Sequence, residues 1–158
     1  MRKPAALCFA VIVLLYASAL SKAQSKSAEL SDVVDRLVRS VEEQNQGWSH
    51  TSVPPIEGSR DVALEQWASD GKVVKITIVR YPSQEEAAKS MREFAASMRA
   101  NRSSTDSGEE GYSWGSLNSF VFRKHNFLVY IYVKGSDAED EKQLRKQFAR
   151  LIVDAIHN

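Results

Sequence analysis

The sequence contains almost no cysteine: Cys8 is the one thiol among 158 residues. Cys8 lies in an apolar run near the N terminus, and loss of that run as a leader leaves a chain without any thiol. Such a chain forms no disulfide, has no cysteine nucleophile and offers no thiolate to a metal ion. Small exported domains often depend on disulfides. A domain without them depends on its hydrophobic core, for which the 135 residues from Gln24 to Asn158 are enough.

An excess of charge of one sign is also absent. The chain has 21 Lys and Arg residues against 20 Asp and Glu residues, a net charge of +1. Removal of Arg2, Lys3 and Lys22 with a leader leaves 18 basic against 20 acidic residues, a net charge of −2. Proteins that bind nucleic acid usually carry a strongly basic surface. We therefore expect no nucleic-acid partner.

Long apolar runs are confined to the start of the chain. Met1-Arg2-Lys3 is basic, Ala5 to Leu20 is apolar, and Ser21-Lys22-Ala23 provides small residues before a cut. This layout is typical of a secretory signal peptide. The alternative is a retained membrane anchor, but the run is short for the about 20 residues that a span needs. We predict a signal peptide at 1–23, a single domain at 24–158 with no membrane span, and a secreted or periplasmic location.

Histidine is scarce, and His50, His125 and His157 lie far apart in the sequence. Zinc sites need three or four nitrogen or sulfur ligands close together, and the chain has no H-E-x-x-H motif. The sequence therefore predicts no metal site and no cofactor.

The strongest positive signal is Phe120 to Gly135, the most hydrophobic stretch beyond the leader. Two runs of β-forming residues, Phe120–Arg123 and Phe127–Val133, flank the polar triplet Lys124-His125-Asn126. A short polar break between two such runs predicts a hairpin. Asp61–Ala68 is compatible with either a strand or a helix, whereas Val73–Arg80 is a clear strand. Because Asp70-Gly71 supplies a turn between them, we predict a second hairpin.

Helical spacing of apolar residues appears in three segments: about Ser27 to Gln44, Gln84 to Ala100, and a last helix that ends near His157. Capping boxes are predicted at Ser83 with Glu86 and at Ser136 with Glu139.

Two segments lack a regular pattern. Trp48 to Arg60 contains Pro54 and Pro55 and predicts an extended loop. Asn101 to Ser119 is irregular, although Tyr112 and Trp114 allow an extra strand there.

These elements give the order α-β-β-α-(β)-β-β-α. We predict an α+β domain with a mainly antiparallel sheet of four to five strands. The amphipathic helices are expected to pack on one face of that sheet.

One catalytic motif occurs. Gly111-Tyr112-Ser113-Trp114-Gly115 matches the G-x-S-x-G nucleophile elbow of α/β-hydrolases, which makes Ser113 a weak catalytic candidate. The elbow needs a turn from a strand into a helix, whereas this stretch follows an acidic loop. Asp137 and His157 follow in the right order, but they flank a single predicted helix.

A set of aromatic residues is the best binding candidate. Tyr130 and Tyr132 alternate along the last predicted strand, and Tyr112 and Trp114 could join them on an open sheet face. Amphipathic aromatic side chains on such a face suit a ligand or a partner. The alternative is that the 101–119 loop or the first helix covers this face.

The function expected from these features is an exported, small, non-catalytic binding or interaction domain for an unknown protein or small ligand outside the cytoplasm. Two alternatives stay open. One is a small secreted serine hydrolase that uses Ser113, and the other is a structural subunit that forms a homo-oligomer.

Overall fold

The structure is a computed structural model that describes residues 30–44, 47–54, 61–102, 109–114 and 118–157. The predicted signal peptide, residues 1–23, lies outside the described residues. Among the described helices, none combines the length and the apolar character needed to cross a membrane.

The described residues form three helices and seven strands. In chain order these are α1 (residues 30–44), β1 (Ser49–Val53), β2 (Val62–Ser69), β3 (Lys72–Arg80), α2 (Gln84–Ser97), β4 (Asn101–Arg102), β5 (Glu110–Trp114), β6 (Ser119–Lys124), β7 (Phe127–Lys134) and α3 (Ala138–His157).

All seven strands belong to one sheet with the order β1-β2-β3-β7-β6-β5-β4. Every neighbouring pair is antiparallel, which confirms the α+β class and the antiparallel sheet. The predicted count of four to five strands is too low. β1 and the two-residue β4 were not predicted, and both lie at the edges of the sheet. Short polar edge strands lack the apolar alternation by which strands are recognised.

Both predicted hairpins are confirmed, and backbone conformation explains their turns. Asp70 and Gly71 connect β2 to β3 with φ values of 44° and 80°. This left-handed pair is what a two-residue turn requires when it follows the twist of the strands. His125 adopts φ 53° in the turn between β6 and β7.

The larger core lies on the side of the sheet covered by α1 and α3, which we call the α1–α3 face. Trp67, Ile76 and Phe122 point from the sheet into this core, where they meet Leu37 of α1 and Phe148 of α3. Trp48 and Trp67 contact the Phe148 ring, with ring centroids 5.6 and 5.5 Å from it. A hydrogen bond of 2.8 Å from Arg36 Nε to the Ala155 carbonyl joins the two helices.

The opposite side of the sheet, the α2 face, carries a smaller core. Met91 of α2 packs on Val121 and Leu128, which alternate with the residues of the larger core along β6 and β7. The prediction that the helices pack on one face is therefore wrong. Both sides of β6 and β7 are apolar, and a strand of that kind is buried on both faces.

The helix starts show one confirmed cap and one correction. Ser83 is the N-cap of α2, and its hydroxyl accepts the Glu86 N–H at 3.2 Å. α2 ends at Ser97 rather than Ala100. The predicted box of Ser136 with Glu139 is wrong, because the Asp137 carboxylate accepts the N–H groups of Glu139 and Asp140 at 3.0 and 2.9 Å. Asp accepts these N–H groups as well as Ser does, so the start of the helix shifts by one residue.

Candidate functional site

A cleft lies between α1 and the edge of the sheet formed by β1 and β2. We call it the α1 cleft. Its volume is about 430 Å³, within the range of about 300–1,000 Å³ that ligand sites occupy. Its lining residues are Val34, Asp35, Val38, Arg39, Glu42, His50, Ser52 and Glu65. A smaller hollow of about 230 Å³ adjoins it and shares Val34, Asp35, Ser52 and Glu65.

Strand register brings the floor of the α1 cleft together. Ser52 of β1 lies directly opposite Glu65 of β2, and His50 lies opposite Trp67. Residues two apart on a strand share a face, so all four side chains belong to the α1–α3 face. The His50 ring stacks on the Trp67 ring with centroids 4.8 Å apart. Trp67 is fully buried and therefore fixes the imidazole beside Glu65.

Glu65 is the central polar group of the floor, and only 4% of its surface is exposed. Its Oε2 lies 2.7 Å from His50 Nε2, and its Oε1 accepts the Ser52 hydroxyl at 3.0 Å. A buried carboxylate is unfavourable unless hydrogen bonds or an opposite charge compensate it. Both oxygens have a partner here, so the side chain is held in one position.

The wall formed by α1 is apolar on one side and charged on the other. Val34 and Val38 are one helical turn apart, as are Asp35 and Arg39, and Glu42 follows on the charged side. The α1 cleft thus joins an apolar strip to a row of charges above a buried carboxylate. This combination of an apolar wall and a few fixed polar groups is typical of small-ligand sites.

The order of the polar groups on the floor suits binding better than nucleophilic catalysis. In a catalytic triad the histidine lies between the hydroxyl and the carboxylate and takes the hydroxyl proton. In the α1 cleft the carboxylate of Glu65 lies in the middle, and Ser52 donates to it. This hydrogen bond directs the Ser52 proton to a carboxylate instead of to a histidine base.

The four predicted face residues all lie on the α2 face. Phe94 of α2 contacts Tyr130 and Trp114 edge to face, with centroids 4.9 and 5.1 Å away. Burial raises the pKa of Tyr130 to about 12. The Tyr112 hydroxyl donates to Glu110 Oε1 at 2.8 Å, and this bond raises the pKa of Tyr112. Tyr132 is the most exposed of the four, with 39% of its surface exposed.

Among the described residues, α2 packs on this aromatic face, whereas the first helix, one of the two covers that the sequence offered, packs on the α1–α3 face. The other offered cover, the 101–119 loop, lies partly outside the described residues, at 103–108 and 115–117. Tyr112, Trp114 and Tyr130 are half-buried beside the Met91 cluster. A binding role for the face stays a prediction, and Tyr132 is its accessible member.

Ser113 occupies a different environment from Tyr112 and Trp114. It is 5% exposed, lies within β5 opposite Phe120, and points to the other side of the sheet from Tyr112 and Trp114. A nucleophile elbow needs a strand-to-helix turn that exposes the serine. Asp137 precedes α3 and His157 ends it. The 20 residues of α3 separate the two by about 30 Å at 1.5 Å per residue.

Two other histidines approach each other near the C terminus. The rings of His125 and His157 lie 5.5 Å apart, and Glu109 Oε1 is 3.3 Å from His125 Nδ1. Partial burial acts to raise the Glu109 pKa, but the His125 N–H and the Arg123 guanidinium outweigh it and the pKa is lowered. Among the described ranges, no three His, Cys, Asp or Glu side chains are grouped closely enough to hold a metal ion.

Sequence reasoning missed His50 and Glu65 as site residues. Alternation along β2 places Glu65 on the same side as Trp67, so a carboxylate at an inward position was a usable signal. His50, the partner of Glu65, had no comparable signal, because it lies on β1, which the sequence predicted as a loop.

The geometry of the α1 cleft is the ground for any assignment of function. No protein-family model, no curated protein and no solved structure matches this chain.

Proposed function

We propose that this chain is an exported, non-catalytic binding domain that holds a small ligand in the α1 cleft. The observation that carries the proposal is Glu65, a carboxylate 4% exposed at the floor of a cleft of about 430 Å³. Replacement of a buried charge by an apolar side chain is often neutral or stabilising. A charge kept at the floor of a concave surface therefore points to a role in recognition.

The contacts of the two serines that could act as nucleophiles, Ser52 and Ser113, favour binding over catalysis. Ser52 donates to Glu65, and Ser113 is buried within a strand. In the part of the chain that the structure describes, neither serine is hydrogen-bonded to a histidine nitrogen, the base that would activate it. The export part of the proposal rests on the basic, apolar and small-residue pattern of residues 1–23.

A pair of neighbouring variants tests the site. Ser52 and Thr51 are both exposed in β1, but they point to opposite faces of the sheet. Ser52→Trp should fill the α1 cleft, whereas Thr51→Trp adds the same bulk to the α2 face.

Backbone amide spectra recorded with a panel of small acids, amines, alcohols and sugars provide the measurement. We expect saturable shifts at α1, β1 and β2 for some of these compounds, with loss in Ser52→Trp and retention in Thr51→Trp. Shifts that survive Ser52→Trp, or a panel that leaves these elements unchanged, would refute the cleft as the site.

A further inference from the structure

We infer that the ligand of the α1 cleft is an organic cation, an ammonium or guanidinium group on a short alkyl chain. This inference rests on the proposed function and names the chemical class that the site accepts. It follows from the charges, the hydrogen-bonding capacity and the apolar wall of the α1 cleft.

The charge of the lining favours a cation whether the His50 side chain is neutral or protonated. Three carboxylates, Asp35, Glu42 and Glu65, line the α1 cleft, against one guanidinium from Arg39. A protonated His50 leaves the carboxylates in the majority. Within the part of the chain that the structure describes, neither Asp35 nor Glu42 forms an ion pair. Both carboxylates line the α1 cleft, so their negative charge lies beside the space that a ligand would occupy.

Glu65 has acceptor capacity left over for a ligand. An ionised carboxylate accepts at about four lone-pair positions. His50 and Ser52 occupy one position on each oxygen. An ammonium or guanidinium group supplies the donors for the remaining positions, and hydrogen bonds between charged groups are the strongest of their kind.

Val34 and Val38 determine what kind of cation fits. Both are partly buried and lie against the main core, so they present an apolar strip beside the charged row. A hydrated metal ion gains nothing from such a strip, whereas an alkyl chain loses its contact with water there. The ligand is therefore an amphipathic cation.

Four probes with the same alkyl chain separate charge from apolar contact: n-butylammonium, n-butylguanidinium, butyrate and 1-butanol. Titration of each into the protein is followed by the backbone amide signals of Val34, Val38, His50 and Ser52. We expect both cations to saturate these signals and to bind about tenfold or more tightly than butyrate, as one partly buried charge pair predicts.

Two charge-matched variants assign the effect to its residue. Glu65→Gln keeps the shape and an acceptor and should lower the affinity for both cations about tenfold, a change of about 1.4 kcal/mol. Glu93→Gln removes the same charge from an exposed position on α2 and should leave the affinity unchanged. Equal losses in both variants would overturn the inference, because they would reflect net charge alone.

The remaining outcomes separate this inference from the proposed function. Tighter binding of butyrate or butanol at the same signals overturns the cation but leaves the α1 cleft as a binding site. If none of the four probes shifts these amide signals, the inference of a cationic ligand is also refuted. The wider compound panel with Ser52→Trp and Thr51→Trp then decides on its own whether the α1 cleft binds anything.

Discussion

Replacement of Glu65 by leucine separates stability from binding. Glu65 accepts hydrogen bonds from two groups that keep access to water: the His50 side chain is 22% exposed, and Ser52 is exposed. Both donors can turn to solvent when the carboxylate is lost. The new leucine side chain would lie at the floor of the α1 cleft, which Val34 and Val38 of α1 also line.

The magnitudes nearly cancel. A hydrogen bond to a charged group contributes about 1.5–3 kcal/mol to stability. The lower value, about 1.5 kcal/mol for each of the two bonds, is appropriate here because the freed donors regain hydrogen bonds to water. Burial of the leucine side chain stabilises the folded state by about 2 kcal/mol. Release of the carboxylate from burial acts in the same favourable direction. We therefore expect the free energy of unfolding of Glu65→Leu to lie within about 1 kcal/mol of the wild-type value.

Urea unfolding followed by tryptophan fluorescence measures this difference. Phe148→Ala provides the scale, because Phe148 is fully buried between Trp48 and Trp67 and its loss should cost about 3–5 kcal/mol. A loss of about 3 kcal/mol or more in Glu65→Leu would refute the reasoning. The carboxylate would then serve to hold the edge strand β1, and its burial would no longer argue for a ligand.

Three further predictions test the α2 face and the start of α3. Tyr130→Ala should cost about 2 kcal/mol in urea unfolding, because Tyr130 packs on Phe94, whereas Tyr132→Ala should stay within about 0.5 kcal/mol; equal losses would contradict the packing. The pKa of Tyr130 rises from 10.0 to about 12, so the folded state holds this proton more tightly and its stabilising contribution, complete below pH 10, is lost as the pH rises towards 12. Unfolding measured between pH 9 and 12 should lose part of that slope in Tyr130→Phe, and an unchanged slope would contradict the assignment. Gly135→Ala should lower the free energy of unfolding by about 1–3 kcal/mol, because the new Cβ would lie 2.8 Å from Asp140 Oδ2 and 3.0 Å from the Glu141 nitrogen. An unchanged free energy of unfolding would contradict this clash and show that the Asp140 side chain moves aside without cost.

The features that the sequence predicted well are those determined by neighbouring residues. Asp70-Gly71 fixes the turn between β2 and β3, and Ser83 caps α2, because each acts within a few positions of itself. The face on which a helix packs depends instead on a connection through space. Phe120, Val121 and Phe122 are consecutive apolar residues, and all three are buried. A strand with such a run is covered on both faces, and this run was visible in the sequence.

The site was harder to predict because it combines three separate segments. Glu65 carries a signal in its inward position, but its meaning depends on β1, which is polar and exposed along most of its length. Edge strands are held by backbone hydrogen bonds to one neighbour, so their side chains need not be apolar. A pattern search based on apolar alternation therefore passes over the strand that supplies His50 and Ser52.

The position of α1 explains how a polar site can adjoin the core without disrupting it. Leu37 and Val41 of α1 are fully buried, while Asp35 and Glu42 lie on its charged side. The helix thus meets β1 and β2 along the boundary between its two sides. At such a boundary a carboxylate can be buried by strands beneath it and still face a cleft that solvent enters. For the organic cation that we infer, this boundary provides both contacts: Glu65 binds the charged end, and the valine strip of α1 binds the alkyl chain.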